Sequence, residues 1–156
     1  MSSFVISIST VLLILAGACG SQTSKPKGPW WIALSTSGGF AGIGRGNLTV
    51  DSKGKYSYYE PSSQNTRKGC DSKFTNRQLQ PISDAVTNSH PKEWDKPGLN
   101  VAAADAFGYK LELKTAGQTL TVQWYDNTRD QLPDDLKRLS DLLLQTMQTA
   151  CKPPKP

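Results

Sequence analysis

The residues best equipped for covalent or acid–base chemistry are few: three cysteines, Cys19, Cys70 and Cys151, and one histidine, His90. No two cysteines form a CxxC pair and no Cys/His spacing matches a zinc site, so a metal role has no support. His90 lies between Ser89 and Pro91 in an expected loop, with no second histidine and no neighbouring carboxylate cluster. Neither a zinc site nor a Ser-His-Asp triad is expected around it. Asp134 and Asp135 follow Pro133 at the start of an expected helix, where the helix dipole favours anions. Asp126, Arg129 and Asp130 fall in an expected turn and read as solvated charges. No serine occupies a nucleophile-elbow context. No catalytic residue, cofactor or metal is expected, and the sequence points to recognition rather than catalysis.

The recognition signal is Ser37-Gly38-Gly39-Phe40-Ala41-Gly42-Ile43-Gly44-Arg45-Gly46. Glycine serves where the backbone takes φ > 0 or approaches another surface closely. Phe40 and Ile43 belong to core residue types, so their place in such a run needs a reason. One reading is a hairpin connection with Phe40 folded back over the sheet. The other is a presented loop whose apolar side chains fit a partner's pocket. The run is not a phosphate cradle. It lacks the Gly-Lys-Ser/Thr ending of a P-loop, and its glycine spacing is not the dinucleotide fingerprint.

The elements that must position this loop lie in a chain of 156 residues, enough for one domain with a real core. Net charge is +5, without a run of five basic residues. Nucleic-acid binding would call for a dense basic stripe with interleaved aromatics, so no nucleic-acid partner is expected. A dispersed positive surface is compatible with weak attraction to anionic lipid.

Phe4 to Leu15 is almost wholly apolar. It is short for a membrane span and suits the apolar region of a signal peptide. Leu15-Ala16-Gly17-Ala18-Cys19 follows, similar to the lipobox of bacterial lipoproteins, in which the cysteine becomes the lipidated first residue. The expected arrangement is a signal peptide over 1–18, a lipidated Cys19 with a tether over 19–29, a domain over 30–151 and a disordered tail over 152–156. The expected location is the cell envelope, with the membrane reached through lipid on Cys19. Plain secretion after cleavage at Ala18 and an uncleaved anchor are the alternatives. If Cys19 carries lipid, Cys70 and Cys151 remain as an even pair in an oxidising compartment and can form a disulfide. The alternative is two separate free thiols.

Trp30, Ile32 and Leu34 alternate on one face of a first strand. Asn47–Asp51 and Lys55–Tyr59 read as two strands around a turn at Ser52-Lys53-Gly54. Pro61 to Lys73 reads as a loop holding Cys70. A helix is expected from Thr75, which has capping-box spacing to Gln78 and Phe74 as a staple onto Leu79. Pro81 favours a later start, at Pro81 itself. Phe107, Tyr109, Leu111 and Leu113, then Leu120, Val122 and Trp124, mark a hairpin across Gly117-Gln118. Pro133 suits a first helical position. Leu132, Leu136, Leu139, Leu143, Met147 and Ala150 form an apolar stripe that reads as a core face. The expected fold is α+β and two-layered, an antiparallel sheet with helices on one face, in the order β-β-β-α-β-β-α.

Three segments carry a resemblance. Ser37-Gly38-Gly39-Phe40-Ala41-Gly42-Ile43 follows the first strand, and Asp105-Ala106-Phe107-Gly108-Tyr109 opens a later one. Leu120-Thr121-Val122, then Pro133 with Leu136, Leu139 and Leu143, close the chain. In that order, over most of residues 31–144, the chain resembles the emfourin family, small bacterial protein inhibitors of thermolysin-like zinc metallopeptidases. The resemblance implies reversible occlusion of a peptidase cleft. Such enzymes accept large apolar side chains next to the scissile bond. The physics of the loop then assigns the residues. Phe40 or Ile43 fills the pocket, Gly38, Gly39 and Gly42 with Ala41 let the main chain lie close to the zinc, and Arg45 adds a rim contact or stays solvated. A preorganised loop loses less entropy on binding than a substrate does. The alternative of another class is an envelope-tethered binding or assembly module without a peptidase target. Its recognition face would be Trp30, Trp31, Tyr56, Tyr58 and Tyr59, unless these aromatics belong to the core.

Overall fold

The computed structural model describes residues 28–38, 44–60 and 69–151 of the chain. The leader, Cys19, most of the tether and the tail lie outside the described residues. Six strands form one antiparallel sheet: β1 (Trp31–Gly38), β2 (Asn47–Asp51), β3 (Lys55–Tyr59), β4 (Gly69–Lys73), β5 (Phe107–Thr115) and β6 (Gln118–Tyr125). Their spatial order is β4-β3-β2-β1-β5-β6. Two helices, α1 (Asn76–Thr87) and α2 (Asp134–Thr149), complete a two-layer α+β domain.

The alternation expected of the strands is what builds the core. Ile32 and Leu34 of β1 face Leu113 and Leu111 of β5 on one side and Val50 and Leu48 of β2 on the other. All six are buried, together with Ile82, Ala85 and Val86 of α1 and Leu136, Leu139, Leu143 and Met147 of α2. Both helices therefore cover the same face. The opposite face carries Ala33, Ser35, Asn47, Thr49, Ser57, Glu112 and Thr121, none of them buried, as an antiparallel sheet with one wet side allows. Among the described residues the buried apolar ones run from Trp30 to Ala150, and the chain over 20–156 carries every one of those.

Two details differ from expectation, the strand at Gly69–Lys73 and the place of Pro133, and α1 starts where the Thr75 capping box predicts. Gly69–Lys73 is a strand rather than the end of a loop, paired with β3 from Lys55↔Lys73 to Tyr59↔Gly69. The order becomes β-β-β-β-α-β-β-α. Helix α1 starts at the earlier of the two candidate positions. Thr75 is its N-cap, and the Thr75 N–H donates to Gln78 Oε1 at 2.9 Å. Pro81 then sits inside the helix, where it removes the bond to the Arg77 carbonyl. Both Arg77 and Pro81 are exposed, so water can serve that carbonyl. Pro133 lies one residue ahead of α2, with φ −54° and ψ 144°, instead of in its first turn.

Cys70 of β4 and Cys151, just past α2, are paired as a disulfide with Cα atoms 5.8 Å apart. The bridge ties the outermost strand to the helical layer.

Candidate functional site

The glycine-rich segment joins β1 to β2 in an antiparallel hairpin. Gly39, Phe40, Ala41, Gly42 and Ile43 lie outside the described residues; Gly38, Gly44, Arg45 and Gly46 are described. The two feet of the loop are fixed by short-range chemistry. The Thr36 N–H and the Thr36 hydroxyl both donate to the Gly46 carbonyl, at 3.1 and 3.0 Å. The Arg45 N–H donates in turn to Thr36 Oγ1. The Tyr58 hydroxyl reaches the Arg45 carbonyl at 3.4 Å.

Glycine is required at both ends of the loop. Gly46 has φ 103°, and a Cβ there would lie 2.5 Å from the Tyr59 carbonyl oxygen. Gly38 has φ 83°, and a Cβ there would lie 2.7 Å from the Ala106 carbonyl oxygen. Any other residue would meet a left-handed backbone penalty and a collision at once.

Arg45 is exposed along its backbone turn, yet its guanidinium sits over the Phe107 ring, 5.0 Å from the centroid. It is neither free in solvent nor in an ion pair with a described carboxylate. Beneath it, Tyr109 stacks on Trp124 with centroids 5.4 Å apart. Burial pushes the Tyr109 phenol above its ordinary range. The positive charges of Arg45 and Arg129 pull it back, and Asp126 adds to the rise. Burial, with help from Glu60, also raises Tyr58.

A second surface lies at the same end of the sheet. Gly38 is the register partner of Phe107, so the segment leading into β5 runs beside the loop's first foot. Val101 in that segment is 60% exposed and Ala102, Ala103 and Ala104 are exposed with it. The strip is held from behind. Asn127 Nδ2 donates to the Val101 carbonyl at 3.0 Å, and the Ala103 N–H donates to Asn127 Oδ1 at 3.4 Å. The buried Thr128 hydroxyl donates to the Leu99 carbonyl at 2.8 Å. A run of valine and alanines gives no sequence sign of exposure, so sequence reasoning passes over it.

The aromatics considered for a recognition face are mostly occupied. Trp30 and Tyr58 are core residues. Tyr56 stacks on Phe74 at 4.2 Å, which is also where Phe74 finds its partner. Trp31 is half-buried beneath Lys114, and Tyr59 stays exposed at the rim.

The remaining polar candidates have structural partners. His90 has a carboxylate beside it after all: its Nδ1 is 3.8 Å from Asp135 Oδ2. That same oxygen accepts the His90 N–H at 2.6 Å and Trp94 Nε1 at 3.0 Å. Asp135 thus does more than favour a helix terminus; it anchors the fully buried Trp94. Arg129 is not solvated as expected but half-buried, bonded to Asp141 of α2. Among the described residues no group of three or more His, Cys, Asp or Glu is placed to hold a metal ion. No helix among them is long and apolar enough to cross a membrane.

No protein-family model matches this sequence, and no curated protein matches it significantly.

Proposed function

We propose that this chain is an exported protein inhibitor of thermolysin-like zinc metallopeptidases, belonging to the emfourin type. It acts by placing the loop 37–46 in the enzyme's active-site cleft. Phe40 or Ile43 enters the apolar pocket beside the scissile position, and Arg45 contacts the rim. The observation that carries this reading is the construction of the loop's feet. Thr36 clamps Gly46 and Arg45, and glycines stand at both ends where no other residue fits. A connection of no consequence needs no such clamp, whereas an inhibitory loop gains affinity from losing little freedom on binding. Placement in the cell envelope, with lipid on Cys19, is part of the proposal and rests on the sequence before residue 28.

The alternative of a tethered binding module loses two of its five aromatics, because Trp30 and Tyr58 are buried. Phe40→Ala tests the inhibitory loop. Binding energy at interfaces concentrates in a few anchors, so the substitution should weaken inhibition by about tenfold or more in a folded protein. An unchanged inhibition constant would remove Phe40 from the site.

A further inference from the structure

The chain enters β1 at Trp31, and the feet of the glycine-rich loop lie at the other end of that strand. The strand is eight residues long, a span of about 23 Å at the usual strand rise. At the entry end, on the uncovered face, Lys55 of β3 and Lys73 of β4 stand directly opposite each other. Like charges at opposed positions weaken a strand pair. Lys53 lies in the adjoining turn. Lys114 of β5 is the register partner of Trp31, with its Nζ 4.5 Å from the ring centroid. All four lysines are exposed.

Asp51 Oδ1 accepts the backbone N–H groups of Lys53 and Lys55, each at 2.9 Å, and Glu112 feels the charge of Lys114. Asp71 and Glu112 lie one row further along the face, bonded to Ser57 and Lys110. Two more lysines, Lys25 and Lys27, precede the entry point in the sequence. Lysines grouped around a half-buried tryptophan suit a bilayer surface. The ammonium groups meet phosphates while the indole and the lysine stems lie at the apolar boundary.

We propose that the entry end, through Lys53, Lys55, Lys73, Lys114 and Trp31, binds the head groups of anionic phospholipids. The domain then stands on that end with Gly38 and Arg45 directed away from the bilayer. The orientation rests on the envelope placement proposed above; the lipid contact does not depend on it, nor on peptidase inhibition.

The test is co-sedimentation of residues 20–156, disulfide formed, with two kinds of vesicle. One is phosphatidylcholine alone; the other is equal parts phosphatidylcholine and phosphatidylglycerol. The protein should bind the anionic vesicles and not the neutral ones. The triple variant Lys55→Gln, Lys73→Gln, Lys114→Gln should lose at least about tenfold in partitioning, given the usual contribution of a lysine near an anionic surface. A control triple on other faces, Lys92→Gln, Lys96→Gln, Arg138→Gln, removes the same charge and should bind as the parent does. Equal losses in the two triples would mean that net charge alone acts and would overturn the site. Absence of binding to the anionic vesicles, or equal binding to both kinds, would overturn it too. All six positions are exposed, and matching thermal midpoints verify that the variants fold.

Discussion

Thr36 bonds Gly46 twice, through its backbone N–H at 3.1 Å and its hydroxyl at 3.0 Å, and the same hydroxyl accepts the N–H of Arg45. One side chain on β1 therefore fixes the far foot of the hairpin loop. Thr36→Val keeps the shape and removes the hydroxyl. It should cost the fold about 1 kcal/mol, read from urea unfolding. The loss in inhibition should exceed that loss in stability, because loop freedom returns in the unbound state. Equal inhibition by parent and variant would mean that the clamp does not preorganise the loop.

Val101 extends the same surface. It is 60% exposed, so Val101→Asp should leave thermal stability unchanged. A carboxylate placed in an apolar contact should weaken inhibition by about tenfold. If Val101→Asp inhibits as the parent does while Phe40→Ala does not, the partner contact ends at the glycine-rich loop.

Asp135 is a structural anchor. Asp135→Ala leaves the buried Trp94 Nε1–H and the His90 N–H without an acceptor. An unsatisfied buried donor costs about 1–3 kcal/mol, and chemical denaturation should show that loss. Asp135→Asn retains an oxygen acceptor and should lose less. Equal losses would contradict the hydrogen-bonding role.

The disulfide spans a sequence separation of 81 residues. Removing it with Cys70→Ser and Cys151→Ser should lower stability by about 2–4 kcal/mol. Hydrogen exchange should show β4 opening before the rest of the sheet. Cys70 is half-buried and the other four β4 residues are exposed, so the strand has little packing of its own. Uniform loss of protection across all six strands would contradict this.

The fold was largely legible where side chains alternate or step at helical spacing. Ile32 and Leu34, Leu111 and Leu113, and the stripe from Leu136 to Met147 are all in the core. β4 was not legible, because Gly69-Cys70-Asp71-Ser72-Lys73 shows no apolar alternation. Its strand character comes from its partner β3, across the intervening residues 60–68, and from Cys151, which is remote in sequence. The ambiguity at Pro81 arose because the residue's cost depends on whether the freed Arg77 carbonyl meets water, a matter of tertiary placement. At the candidate site, glycine spacing marked the loop, and the structure adds Thr36 and the strip from Val101 to Ala104. Neither carries a local signal. Thr36 matters through a partner ten residues away, and the strip is held through Asn127, which bonds the Val101 carbonyl and the Ala103 N–H from a later part of the chain.

Titration of thermolysin activity with residues 20–156, disulfide formed, while mass spectrometry follows the added protein, tests whether this chain is a peptidase inhibitor. Dose-dependent loss of activity with the added protein left uncleaved, and a weaker effect from Phe40→Ala, is the predicted result. Full peptidase activity at micromolar protein, or inhibition that fades as the added protein is digested, would contradict it.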